Sequence, residues 1–409
     1  MRASSIRWGS GRSVTSAALG MLLVGIASVP AHADSVRSRQ WHLDTMKAEE
    51  IWQISKGVGV TVAVIDSGVD KNNPDLQGRV LPGKNLAPNE TGNEHVDYNG
   101  HGTGMAGLIA GTGARDGGNG AFGLAPGAKI LPIRLPDGAK NKGSQQDAND
   151  EFNEKAPVAI RYAADSGAKV INISMGVTQG SSQLTEAVKY ALNKGALVFS
   201  STGNNAGKGN QIEYPGATPG VVGVGSIDKS LTRVKSSHYG PEVDIVAPGD
   251  KMLHACGGKT GLCETGGTSD ATALASAAAA LVWSKHPDWT NNQVLKAMLN
   301  TIAGPNTGEK RNDFIGYGAI RPLRALKTPG DVGPADVRPI PDLDAAGSAS
   351  PSAAPSASAS ASKAPAPGPV AQAESGEGGN TGLWIGLGIG AAVLIGAAVA
   401  VPVMRSRRS

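Results

Sequence analysis

Val60-Thr61-Val62-Ala63-Val64-Ile65-Asp66 is an almost wholly apolar run that follows Gly57 and Gly59 and stops on an acid. A strand buried on both faces of a parallel sheet has this composition, because neither face meets water. Working outward, residues 101–111 place apolar side chains at 105, 108 and 109, the spacing of a helix. Residues 129–134, 169–174, 196–200, 221–227 and 243–247 read as further strands. Residues 156–166 and 184–194 read as helices, and 268–285 as an Ala-rich one. Thr290 and Gln293 form a capping box for a last long helix through Ile302. Strands alternating with helices predict an α/β fold with a mostly parallel β-sheet flanked by helices, spanning residues 35–327. Such sheets place their sites beyond the carboxyl ends of their strands.

Composition removes several alternatives. The chain has 409 residues, a formal charge of +4, 57 Gly and 2 Cys. Its glycines lack the three-residue period of collagen. The charge is too small for a broad nucleic-acid footprint, so no nucleic-acid partner is expected. Two cysteines make neither a disulfide scaffold nor a four-Cys zinc site.

The two ends read as targeting and anchoring segments. Arg2, Arg7 and Arg12 precede an apolar stretch at 17–29 and the small-x-small triplet Ala31-His32-Ala33, so 1–33 reads as a signal peptide. Residues 383–404 carry no charge, and a helix of this length at ~1.5 Å per residue crosses a ~30 Å hydrocarbon core. Arg405, Arg407 and Arg408 follow, which puts the tail 405–409 in the cytoplasm and the bulk of the chain outside the cell membrane. Residues 328–382 are rich in Pro, Ala, Ser and Gly and read as a disordered linker.

Three segments of the central domain carry chemistry. Asp66 ends the first strand in Val64-Ile65-Asp66-Ser67-Gly68-Val69-Asp70. His101 opens a helix in Asn99-Gly100-His101-Gly102-Thr103-Gly104. Ser269 opens the Ala-rich helix in Gly266-Gly267-Thr268-Ser269-Asp270-Ala271-Thr272. A Ser hydroxyl is a weak nucleophile that needs an adjacent base. His supplies that base near neutrality, and a buried Asp fixes its tautomer. Each residue alone has a plainer role: Asp66 as a turn cap, Ser269 as an N-cap, with His95 competing for the place of His101.

Together the segments resemble the three signature motifs of the subtilases, the subtilisin-like serine proteases, in the order Asp, His, Ser that this family uses. Pro74-Asp75-Leu76 and Gly316-Tyr317-Gly318 resemble two further family motifs. The resemblance runs over about 40–326 and implies a subtilisin-like fold, serine endopeptidase activity on a protein or peptide substrate, and no cofactor or metal. Gly203-Asn204 resembles the family's oxyanion pair, which assigns Asn204 to the oxyanion. Val170-Ile171-Asn172-Ile173-Ser174-Met175-Gly176 resembles the substrate-binding strand, which assigns Ser174, Met175 and Gly176 to substrate. Ile212-Glu213-Tyr214-Pro215-Gly216 aligns with the floor of the first substrate pocket, where Glu213 implies preference for Lys or Arg before the scissile bond.

The departures are Gly104-Met105 where His-Val is usual, and Asp270, Ala273 and Leu274 after the nucleophile. An inward Asp270 is expected to oppose the oxyanion by about 1 kcal/mol. Residues 35–59 are too short for the family's inhibitory folding segment, so no large propeptide is expected. Signal peptide, subtilase domain, linker, single span and basic tail together resemble the mycosins, membrane-anchored subtilases that accompany type VII secretion. That architecture implies a membrane secretion complex as partner, and as an alternative function a weakly active or inactive domain acting as a structural component of that complex. Outside the cell Cys256 and Cys263 are expected to form a disulfide, which stabilises by ~2–3 kcal/mol for so short a loop.

Overall fold

The computed structural model describes residues 35–137 and 143–343. The expected signal peptide, span and tail, and residues 344–382 of the expected linker, lie outside these residues. Among the described residues no helix is long and apolar enough to cross a membrane.

Seven strands form the main sheet: β1 (Thr61–Asp66), β2 (Lys84–Asn85), β3 (Lys129–Arg134), β4 (Val170–Ile173), β5 (Leu197–Ser201), β6 (Val222–Ile227) and β7 (Ile245–Pro248). Their order is β2-β3-β1-β4-β5-β6-β7, and every pair is parallel. A separate antiparallel hairpin joins β8 (Met252–Ala255) to β9 (Leu262–Thr265). The helices are α1 (Trp41–Thr45), α2 (Ala48–Trp52), α3 (His101–Ala110), α4 (Arg115–Gly118), α5 (Gln145–Asp165), α6 (Ser182–Asn193), α7 (Thr268–Lys285), α8 (Asn291–Asn300) and α9 (Pro322–Lys327).

The β1 side chains show how the layers form. Val62 and Val64 join the core that includes the buried residues of α3 and α7. Ala63 and Ile65 point the other way, into the core under α5 and α6. Successive strand side chains alternate between faces, so one apolar run serves both cores. From Thr268 to Trp283, α7 is buried at every residue but Ser269. It packs against β4, β5, β6 and β7, against α3, and against α8 and α9. A helix enclosed on all sides has no polar face to keep, and alanine lets its neighbours approach.

Two expectations on extent change. The α5 helix begins at Gln145 rather than near 156, on a capping box in which Ser144 and Asp147 bond each other's backbone amides. Its first ten residues are almost all polar and carry no apolar period, which hid them. The second change concerns the start of the linker, expected at 328. Residues 328–343 lie on the domain instead. Asn300 Nδ2 donates to the carbonyls of Pro329 (3.0 Å) and Asp331 (2.7 Å), and Gln293 Nε2 to that of Gly333 (3.2 Å). Thr290 Oγ1 donates to the Ala335 carbonyl (2.8 Å). Ile340 is buried in the α7-side core, and Asp342 accepts from the Gly220 amide (2.6 Å) while Arg338 grips its carboxylate. A Pro- and Gly-rich segment cannot make its own core, yet it docks as irregular chain when side chains from a neighbouring helix satisfy its carbonyls.

Candidate active site

Asp66 is the last residue of β1 and only 1% exposed. Its Oδ1 accepts from the Ser67 amide (2.8 Å) and lies 2.8 Å from His101 Nδ1. His101 is the first residue of α3, and its side chain remains 34% exposed, so one ring edge is tied to the acid while the ring stays reachable. The approach is so close that a Cβ on Gly102 would lie 2.2 Å from the Gly68 carbonyl oxygen. This is why glycine follows His101. Burial disfavours the charged imidazole, but the charge and hydrogen bond of Asp66, aided by Asp270 and Asp97, outweigh it and hold the His101 pKa at about 9.

The amides at the start of α3 are served from outside the helix. His101 N–H donates to Asn99 Oδ1 (2.9 Å), Gly102 N–H to Ser67 Oγ (2.9 Å) and Thr103 N–H to Asp97 Oδ2 (2.8 Å). Asp97 also accepts from the Thr103 hydroxyl (2.6 Å), the Gly100 amide (2.8 Å) and Ser67 Oγ (2.8 Å). Asp97 therefore fixes the His101 turn onto the end of β1, a role that sequence reading missed. Its signal was an acid four residues before the histidine. His95, the competing histidine, faces Glu94 at 3.4 Å instead.

Ser269 is the second residue of α7. Its hydroxyl donates to the Ser174 carbonyl (3.2 Å), and Ser174 Oγ donates back to the Ser269 carbonyl (3.3 Å). Asn172 in β4 bonds both Ser174 Oγ and Ser276 Oγ, each at 3.1 Å, which locks the strand end to the helix. Beyond β5, Asn204 is exposed, and its Oδ1 accepts from the Thr268 amide at 3.0 Å. An amide nitrogen can only donate, so the side-chain oxygen must face Thr268 and Nδ2 is directed elsewhere. The Gly267 φ of 140° is a conformation that glycine alone adopts readily. Ser269 N–H, in the first turn, has no carbonyl of its own helix to bond.

Met175 and Gly176 continue from Ser174, half-buried and exposed respectively. Val177 then pairs with Tyr214 across an antiparallel bridge. This brings Glu213 to the same wall: its carboxylate lies against Gly203 and Gly176, and its Oε1 accepts from Asn205 Nδ2 (2.9 Å). Burial pushes the Glu213 carboxyl up to about 7, against the Asn205 hydrogen bond. The structure thus brings Asp66 to His101, Ser269 to Ser174, and Asn204 to the start of α7.

Asp270 is buried, and its Oδ2 accepts from Thr265 Oγ1 of β9 at 2.8 Å. Its side chain thus turns toward the hairpin, whereas Asn204 meets the helix from the end of β5. Cys256 and Cys263 form the expected disulfide, which closes that hairpin. Asn73 Nδ2 ties the hairpin down through the carbonyls of Cys256 (2.8 Å) and Gly261 (3.0 Å).

Comparison with known proteins agrees with this arrangement. The profile of the Subtilase family matches residues 57–318. Thermitase of Thermoactinomyces vulgaris is 34% identical over 288 residues, covering 69% of this chain and 96% of its own. The thermophilic serine proteinase of Bacillus sp. (strain AK1) is 34% identical over 270 residues, and the match spans 66% of this chain and 64% of that protein. Among solved structures, MycP1 from Mycobacterium smegmatis superposes with a TM-score of 0.63 at 29% identity, covering 73% of this chain and 87% of its own. The periplasmic assembly from the ESX-5 inner membrane complex contains a chain with a TM-score of 0.63 at 26% identity, covering 76% of this chain and 89% of its own. With a matched profile over most of the domain and an Asp–His pair set at the end of a parallel strand, the chain belongs to the subtilase family and is a serine protease.

Proposed function

We propose that this protein is a membrane-anchored, extracytoplasmic endopeptidase that cuts peptide bonds through Asp66, His101 and Ser269, beside a type VII secretion complex. The observation that carries the chemistry is the 2.8 Å pairing of His101 Nδ1 with buried Asp66, which leaves the other ring nitrogen to act. A peptide lies along Ser174, Met175 and Gly176 as an added strand. Ser269 Oγ leaves the Ser174 carbonyl, turns to His101 Nε2 and gives up its proton as it bonds the scissile carbon. Asn204 Nδ2 and the Ser269 amide hold the resulting oxyanion. Asp66 stabilises the imidazolium, which passes its proton to the departing amine. Water then attacks the acyl-enzyme by the same route in reverse. Glu213 stands beside Gly176 and favours Lys or Arg before the cut bond.

The location follows from the ends of the chain. Residues 1–33 direct export, 383–404 span the membrane, and 405–409 stay in the cytoplasm, with the linker tethering the domain outside. The likeness to MycP1 and to a chain of the ESX-5 periplasmic assembly supports the secretion complex as partner.

A second reading has its own observation. A buried acid beside the nucleophile is unusual, and it favours a weakly active domain retained as a structural part of that complex. Fluorophosphonate labelling of the full chain in membranes, beside its Ser269→Ala variant, separates the two. Labelling of the wild type alone supports the protease. A folded wild type that never labels supports the structural component.

A further inference from the structure

The turn that leads into His101 contains a reactive pair of residues that the triad does not use. Asn-Gly occurs twice in the chain, at Asn99-Gly100 and at Asn119-Gly120. In such a pair the glycine amide nitrogen can attack the asparagine side-chain carbon, because glycine has no side chain to obstruct the approach. A bond forms between that nitrogen and that carbon, the nitrogen gives up its proton, and the side-chain nitrogen leaves as ammonia. Water then opens the cyclic imide, either to aspartate or to isoaspartate, in which the main chain runs through the former side-chain carbon.

The two pairs are held differently. Asn99 is exposed, and its Oδ1 accepts from the His101 amide at 2.9 Å. This Asx turn folds the side-chain carbon back toward the Gly100 nitrogen. It also sets an N–H donor on the oxygen that gains charge during attack. The Gly100 N–H, whose hydrogen must leave, donates to a carboxylate oxygen, Asp97 Oδ1, at 2.8 Å. A base on the nucleophile and a donor on the electrophile are therefore both in place. At the second pair the Gly120 N–H donates to the Gly113 carbonyl at 3.1 Å, and a carbonyl is no base for it. Among the described residues no donor meets the Asn119 side chain.

The product matters because of what Asn99 holds. Aspartate at 99 keeps an acceptor oxygen for the His101 amide. Isoaspartate lengthens the main chain by one carbon and moves the carboxyl onto a shorter branch, so the amide loses its acceptor. Gly100 has little room to absorb the shift, since a Cβ there would already lie 3.3 Å from the Gly257 nitrogen.

We propose that Asn99-Gly100 is a self-modification site, where the fold promotes imide formation, and that isoaspartate at 99 displaces His101 and ends the activity. The loss of activity rests on the triad reading above, whereas the modification does not.

The test ages the full chain in detergent micelles at pH 8. Peptide mapping uses the Ser269→Ala form, so that self-cleavage does not intrude, and isoaspartate is read by fragmentation mass spectrometry. Asn99 should convert faster than Asn119 by about tenfold or more. In the wild type the fluorophosphonate labelling rate should fall in step with isoaspartate at 99. Treatment of the aged wild type with a protein isoaspartate methyltransferase, which returns isoaspartate toward aspartate, should restore labelling. Asn99→Ser keeps a hydroxyl acceptor but cannot cyclise, so it should hold its own starting rate. An Asn99 that converts no faster than Asn119 overturns the proposal. Conversion without loss of labelling overturns the effect on His101, as does a loss that the methyltransferase cannot reverse or, where Asn99→Ser folds, one that this variant shares. A wild type that never labels sinks the triad reading, and the mapping alone then decides the modification.

Discussion

The helices on the two faces of the sheet begin in different ways. On one face, α6 starts at Ser181, whose side chain accepts from the Leu184 amide, and α5 starts on the Ser144–Asp147 box. Both helices cap themselves. On the other face, α3 starts after Gly100 and α7 after Gly267, and neither glycine has a side chain to offer. Their first amides are served by Asn99, Ser67 and Asp97 for α3, and by Asn204 from the end of β5 for α7. The difference follows function more than face, because α8 lies on the α7 side and still carries its own Thr290–Gln293 box. Where a helix opens on a residue proposed to be catalytic, the N-cap side chain is absent and residues outside the helix replace it. At α7 the backbone can then come close to a substrate, and the Ser269 amide stays available for developing charge.

The largest effect that tests this comparison is expected from Asn204. Asn204→Ala removes both the external cap of α7 and the proposed oxyanion donor. The rate constant for peptide cleavage should fall by about 10²–10³-fold, and thermal unfolding should show a loss of about 1 kcal/mol. A loss of stability with unchanged turnover would make Asn204 a cap and nothing more.

How much of this was legible in the sequence follows the same division. Asp66, His101 and Ser269 stood out because each sits in a glycine-rich segment at the edge of a periodic run. The α5 and α6 side was legible through apolar spacing, except where the first turns of α5 are polar. Asp97 was not legible, because its role depends on a loop folding back onto Ser67 and Thr103. The hairpin of β8 and β9 was missed as well, since each strand has only four residues and a Gly-rich loop lies between them. The two cysteines announce a disulfide, but not that the hairpin it closes sets Thr265 beside Asp270. The work of the Pro74-Asp75-Leu76 motif is structural. Asp75 is fully buried and accepts from the amides of Arg115 (2.9 Å) and Ala121 (3.2 Å) and from Arg115 Nε (3.1 Å). The docked segment 328–343 has the composition of a linker, because composition reports whether a segment can form a core, not whether a neighbouring helix will bind its carbonyls.

A smaller effect concerns the pocket wall. Glu213 has a carboxyl raised to about 7 by burial, so it is mostly neutral below that pH and charged above it. A group with a raised carboxyl pKa gains its charge only as pH climbs through that value. Preference for Arg over Phe before the cut bond should therefore grow between pH 6 and pH 8, by up to about tenfold for an interaction near 1.4 kcal/mol. Glu213→Gln should flatten that dependence. Equal cleavage of Arg and Phe peptides at pH 8 would remove Glu213 from the specificity of the site.

The smallest effect on activity is the sharpest test of the comparison. Ser181 caps α6 on the face away from α7, and its hydroxyl accepts from Leu184 N–H at 3.1 Å. Ser181→Ala should cost about 1 kcal/mol, the ordinary value of an N-cap, seen as a lowered unfolding midpoint. Peptide cleavage measured well below that midpoint should be unchanged. The stability losses of Ser181→Ala and Asn204→Ala are then nearly equal, while their activities differ by orders of magnitude. If both variants lost activity in proportion to stability, the externally capped starts of α3 and α7 would have no chemical meaning, and the glycines there would be explained by close packing alone.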